Sequence, residues 1–168
     1  MNIFLIGMMG SGKSSVGHSL SKHLTNTFYD LDKEVEKRFN LSIRDIFIEY
    51  GEDLFRKEEN KLLKELEISS GLIVSTGGGI VLSEENRTIL KKNKTYFLEA
   101  NIEDMYERAI KKENNRPLLK GMDITKFKEL YIKRRDLYVE SATTTINVGK
   151  KSIEDLTIEI IENEKNII

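Results

Sequence analysis

The chain has 168 residues, enough for one domain with a substantial core. Its 27 Lys and Arg nearly cancel 28 Asp and Glu, which leaves no overall field to hold nucleic acid or an anionic membrane. With no cysteine, no apolar run of membrane-spanning length and no signal-peptide pattern, a cytoplasmic protein without nucleic-acid or membrane partners is expected.

The apolar run Ile3-Phe4-Leu5-Ile6 reads as a buried strand. It leads straight into Gly7-Met8-Met9-Gly10-Ser11-Gly12-Lys13-Ser14, a complete G-x-x-x-x-G-K-[ST] phosphate loop, and Val16, Leu20 and Leu24 follow at helical spacing. In such a loop glycines let successive backbone N–H groups turn onto the β-phosphate, helped by the helix N-terminus. Lys13 is expected to bridge the β- and γ-phosphates and the Ser14 hydroxyl to ligate Mg²⁺, with Gly10, Ser11, Gly12 and Ser15 completing the cradle. A glycine-rich turn that binds nothing does not account for a full eight-position match between strand and helix. The sequence predicts a nucleoside triphosphate site.

Strands and helices then alternate. A short strand Thr27-Phe28-Tyr29 ends at Asp30-Leu31-Asp32, and helical patterns follow over 33–39, over 43–50 behind a Ser42 cap, and over 52–68 with an apolar stripe of Phe55, Leu62, Leu63 and Leu66. Leu72-Ile73-Val74-Ser75 reads as a strand running into Gly77-Gly78-Gly79, then come a capped helix over 83–92, a strand Tyr96-Phe97-Leu98 and a helix over 102–111. Residues 112–122 are polar, hold the single proline, Pro117, and read as a mobile loop. A helix over 124–141, a strand over 144–148 and a helix over 153–164 complete the chain. This alternation implies an α/β fold with a parallel sheet covered on both faces, whose strand C-termini share one edge.

That edge collects the unusual residues. Asp30 and Asp32, flanking Leu31, point the same way if the segment is extended, so both face the phosphate loop. Two carboxylates there suit one on Mg²⁺ and one on an attacking hydroxyl; a solvated acidic turn is the plainer alternative. Arg56 in Phe55-Arg56-Lys57-Glu58-Glu59 reads equally as a surface charge with local ion pairs. The triple glycine lets backbone approach a ligand closely. Arg116, before Pro117, is placed to swing onto a transferring phosphoryl group, whereas Arg134 and Arg135 are either an arginine fork for a carboxylate or a solvated helix face.

Taken in order, Gly7 to Ser14, Asp30-Leu31-Asp32, Gly51-Glu52-Asp53-Leu54-Phe55-Arg56, Ser75-Thr76-Gly77-Gly78-Gly79, Arg116-Pro117-Leu118-Leu119 and Arg134-Arg135-Asp136-Leu137-Tyr138 resemble shikimate kinase over nearly the whole chain. The resemblance implies ATP-dependent phosphorylation of the shikimate 3-hydroxyl, on the route to chorismate and the aromatic amino acids. It implies one P-loop NTPase domain over 1–168, of the nucleoside monophosphate kinase type. That fold has a five-stranded parallel sheet flanked by helices, a substrate-binding region near 32–61 and a lid near 112–122. Carried over by position, Asp32 holds the substrate hydroxyls and acts as base or orienting group. Arg56 and Arg134 clamp the shikimate carboxylate, with the backbone at Gly78 and Gly79 against the ring hydroxyls. Ser14 ligates Mg²⁺, Asp30 reaches it through water, and Lys13 and Arg116 stabilise charge on the γ-phosphoryl of ATP. A monomer is expected.

Leu31 stands where the family often has a small polar residue, and Asp136 where many members have proline. Lys150, Lys151 or Arg108 are the candidates for adenine contact. A gluconate kinase of the same architecture need not keep two arginines for a carboxylate. A GTPase requires N-K-x-D, which Asn93-Lys94-Thr95-Tyr96 lacks, and a nucleic-acid-binding ATPase requires a basic, aromatic stripe. His18 and His23, with no third ligand nearby, read as packing or surface residues.

Overall fold

The three central strands carry apolar cores because both faces of the sheet are covered there. A computed structural model describes residues 2–111 and 121–165. Its strands are β1 (Ile3–Ile6), β2 (Thr27–Asp30), β3 (Leu72–Ser75), β4 (Lys94–Glu99) and β5 (Thr144–Asn147). They form one parallel sheet in the order β2-β3-β1-β4-β5, with Ile3 opposite both Ile73 and Lys94. Phe4, Leu5, Ile6, Ile73, Val74, Phe97 and Leu98 are fully buried, whereas the edge strands are partly exposed.

The helices are α1 (Lys13–Leu24), α2 (Leu31–Phe39), α3 (Ile43–Tyr50), α4 (Glu52–Glu67), α5 (Glu84–Lys92), α6 (Ile102–Ile110), α7 (Ile124–Ser141) and α8 (Ile153–Lys165), with a 3-10 turn over Ile80–Leu82. The chain leaves β1 toward β2 through α1, but leaves β3 toward β4 in the opposite direction through α5. Right-handed crossovers put α1 and α5 on opposite faces. Accordingly α1 packs with α8, and α5 packs with α4 and α7. The reversal beside β1 opens a crevice at the strand C-termini, where the phosphate loop begins.

Two elements differ from the sequence expectation by more than one residue at an end. The strand β4 is longer than Tyr96–Leu98 because polar side chains at its ends are satisfied by neighbours. Thr95 Oγ1 donates to Leu90 O at 2.7 Å, and Lys94 pairs with Glu164 of α8, which also accepts from Tyr96 Oη at 2.6 Å. The second helix begins at Leu31, not Lys33, because Asp30 caps it by accepting from the Lys33 N–H. The expected packing or surface roles of the two histidines hold. The His18 ring lies on Phe28, their centroids 3.9 Å apart, and His23 meets Glu154 at 3.2 Å. Among the described residues no helix is long and apolar enough to cross a membrane.

Candidate active site

The phosphate loop sits between β1 and α1, with Gly10 at φ +82° and Gly12 at φ +100°, conformations that favour glycine. A β-carbon at Gly10 would also overlap the Met105 carbonyl of α6, so that helix closes directly onto the loop. The Lys13 ammonium is buried and donates to Gly7 O at 2.8 Å and Met8 O at 2.9 Å, bracing the loop around itself. Ser11 is buried within the loop, and its hydroxyl has no partner among the described residues.

Ser14 Oγ donates to Asp30 Oδ2 at 3.0 Å and lies 3.3 Å from Ser75 Oγ. These are hard oxygen donors of the type a small divalent cation takes. No group of three or more His, Cys, Asp or Glu placed to hold a metal exists among the described residues.

Asp30 and Asp32 both line the cleft, but not through the strand alternation expected for an extended segment. Asp30 ends β2 and caps α2, whereas Asp32 is in the first helical turn. The cap bends the chain so that a helical residue reaches the same crevice.

The arginines divide sharply. Arg134 is 5% exposed, and its Nη1 donates to Gly78 O at 3.3 Å while its buried Nε has no partner. Arg135, one residue on, is half-exposed and donates to Glu99 at 2.6 Å, so the fork does not include it. Arg56 is neither a lone surface charge nor free. It pairs with Glu52 at 2.9 Å and with Glu59 at 2.8 Å, and its guanidinium lies flat against Gly79. Burial alone would lower the Arg56 pKa, but the two glutamates outweigh it and raise it. Any side chain at Gly79 would occupy the space of that guanidinium.

These parts share one cleft of about 660 Å³, lined by Gly10, Gly12, Lys13, Ser14 and Ser15 at the nucleotide end. Asp32, Arg56, Gly78, Gly79 and Arg134 line the other. Arg108 lines it too and reaches Gly10 O at 3.5 Å. Arg116 and most of the expected lid lie outside the described residues.

Sequence reasoning missed two participants. Glu59 is fully buried, with Oε2 on Arg56 and Oε1 without a partner. Burial pushes its carboxyl up to about 7; Arg56 opposes that shift, and Asp32 adds to it. The signal was present, since Glu59 fills the gap between Phe55 and Leu62 in the apolar stripe of α4. Tyr138, four residues after Arg134, donates to the same Gly78 carbonyl, and burial pushes its phenol up. Together the two side chains fix the triple-glycine turn.

A model of the shikimate kinase family matches residues 9–165. A shikimate kinase of Nitrosospira multiformis is 45% identical over 153 residues, covering 90% of this chain and 78% of that protein. The structure of an Acinetobacter baumannii shikimate kinase in complex with shikimate aligns with a TM-score of 0.93 at 34% identity, over 98% of this chain and 93% of that one. The Aquifex aeolicus shikimate kinase gives 0.86 at 40% identity, over 100% and 99% of the two chains. The sheet and its helices are therefore the P-loop kinase fold, and the chain belongs to the shikimate kinase family, whose members are ATP-dependent kinases.

Proposed function

We propose that this cleft transfers the γ-phosphoryl group of ATP to the 3-hydroxyl of shikimate, with each end of the cleft holding one substrate. The observation that carries the reading is that Arg56, Arg134 and Asp32 line the same cleft as a complete phosphate loop. Two guanidinium groups suit a carboxylate in two-point geometry, which a neutral polyol or a nucleobase does not offer.

The residues divide the labour as phosphoryl transfer requires, since positioning and electrostatics supply most of the catalysis. Arg56 and Arg134 anchor the shikimate carboxylate. Asp32 accepts a hydrogen bond from the reacting hydroxyl, orients it and takes its proton. The backbone at Gly78 and Gly79 packs against the ring hydroxyls. Gly10, Ser11, Gly12 and Ser15 cradle the phosphates, and Lys13, with Arg116 from the lid, meets charge developing on the γ-phosphoryl. An ATP-using kinase works with a divalent metal; Ser14, with Asp30 through water, would hold Mg²⁺ here, and the ion would neutralise phosphate charge.

In this reading residues 1–168 form one domain, with 32–61 the substrate-binding region and 112–122 the lid. The same reading has the chain act as a monomer, in the cytoplasm. ADP release measured by a coupled assay across shikimate, gluconate and nucleoside monophosphates tests the assignment. Shikimate should be turned over well ahead of the others, and equal or better turnover of gluconate or a nucleotide would overturn it.

A further inference from the structure

Glu59 sits in an arrangement that the transfer chemistry leaves unused. Its Oε2 accepts from Arg56 Nη1 at 2.8 Å, but its Oε1 is buried and meets no donor among the described residues. A β-carbon at Gly77 would lie 2.6 Å from Asp32 Oδ1 and 2.7 Å from Glu59 Oε1. Two carboxylate oxygens therefore converge above the same glycine, from α2 and α4.

The charges around Glu59 can be named element by element. Its own helix α4 contributes Arg56 and, beyond it, Glu52. The facing turn of α2 contributes Asp32, and α7 contributes Arg134 together with the phenol of Tyr138. The Gly77–Gly79 turn brings no ionisable side chain, and Ser83 and Asn86, which border the small cavity on the other side of Arg56 and Glu59, bring none either. The anionic state of Glu59 thus depends on two arginines.

Those are the two arginines assigned to the substrate carboxylate. Shikimate carries one negative charge and otherwise only neutral hydroxyls, so its arrival adds an anion and no cation. The attraction that keeps Glu59 ionised is then shared with a second carboxylate, at a buried position where Coulomb terms are large. We propose that shikimate binding is coupled to proton uptake by Glu59, because Oε1 lacks a donor among the described residues, crowds the same glycine as Asp32, and loses the undivided field of Arg56 and Arg134 once the substrate carboxylate is seated.

The balance is simple. One proton moves from solvent to Glu59 Oε1, and no other bond changes. With that proton Glu59 no longer repels Asp32, whose carboxylate raises its pKa. It is a positioning residue, holding Arg56 through Oε2, and it touches no reacting atom. The inference rests on the carboxylate clamp of the proposed function.

The test is calorimetric titration of shikimate into the full chain, in phosphate and in Tris, whose ionisation enthalpies differ widely. Free Glu59 is largely ionised above about pH 7. At about pH 8 the binding enthalpy should therefore differ between buffers with the sign of proton uptake, and the difference should shrink to nothing near pH 5.5. Glu59→Gln should remove the buffer dependence while still binding shikimate. Should that variant fail to fold, the wild-type infrared difference spectrum with carboxyl-labelled shikimate should gain a protonated-carboxyl band on binding. A buffer-independent enthalpy at about pH 8, with shikimate bound, overturns the proposal and leaves the clamp standing. Buffer dependence that survives Glu59→Gln also overturns it, since the proton then goes elsewhere. Arg56→Ala and Arg134→Ala separate the two levels: undiminished shikimate affinity in both variants sinks the clamp itself.

Discussion

Ser14 Oγ donates to Asp30 Oδ2 across 3.0 Å, tying the first turn of the phosphate-loop helix to the end of the second strand. The same aspartate caps the helix that carries Asp32. Nucleotide end and substrate end are thus joined through one side chain. On the proposed function, a metal at Ser14 and an acceptor hydroxyl at Asp32 would be held in register by a strand terminus and a cap, both rigid elements.

The two aspartates should separate by assay. Asp32→Asn keeps the shape and removes the charge, so it should lower kcat by roughly 10²–10⁴ while leaving ATP affinity nearly intact. Asp30→Asn should instead raise the Mg²⁺ concentration needed for half-maximal rate. A Mg²⁺ titration of initial rate for both variants is the measurement. Near-normal turnover by Asp32→Asn would mean it is neither base nor orienting group.

Arg56→Ala and Arg134→Ala should each weaken shikimate binding far more than ATP binding. Losing one partner of a desolvated charge pair costs on the order of 2–5 kcal/mol, or roughly 30-fold to several thousand-fold in affinity. Arg56 should lie lower in that range, because removing it also relieves the pairs it already makes with Glu52 and Glu59. Equilibrium titration of each variant with both substrates checks this.

The fold was legible in the chain because its central strands are buried on both faces and its loop motif is strict. Among the described residues, the five strands and eight helices fall on the segments where the pattern places them. The ends of β4 were hidden, since Lys94, Thr95 and Glu99 are polar residues satisfied by tertiary partners. At the site, residue types were legible but geometry was not. Arg134 and Arg135 are adjacent and alike in sequence, and only the direction of the α7 face makes one buried and the other exposed. Glu59 was hidden for a related reason: a charged residue in a charged run reads as solvated until its helix is seen to bury it.

Gly79→Ala tests the Arg56 placement without touching its charge. Gly79 has φ −98°, so alanine brings no backbone strain, but its β-carbon would lie 2.5 Å from the Arg56 Cζ. The far end of a flexible side chain gives way more cheaply than backbone. Arg56 should therefore swing off Glu59, costing about 1.5–3 kcal/mol of charge-assisted hydrogen bonding at the clamp. The expected result is a raised KM for shikimate with KM for ATP little changed, and a thermal midpoint lower by roughly 3–12 °C. A loss of stability with KM for shikimate unmoved would show that Gly79 serves packing alone.

The last prediction uses the buried Glu59 carboxyl in the absence of substrate. Its pKa rises from 4.5 to about 7 on folding, so between those values the folded chain holds a proton that the unfolded chain has released. Folding stability from this group is therefore full below about pH 4.5, declines as pH rises, and is spent once pH passes about 7. The total is on the order of 3 kcal/mol, or roughly 6–12 °C in Tm for a chain of this size. Glu59→Gln removes that titration. Thermal unfolding of both proteins from about pH 5 to pH 8.5 should show the variant gaining on the wild type until about pH 7, with the gap level beyond. Parallel Tm curves across that range would mean that Glu59 keeps an ordinary carboxylate pKa, and that Arg56 fully compensates its burial.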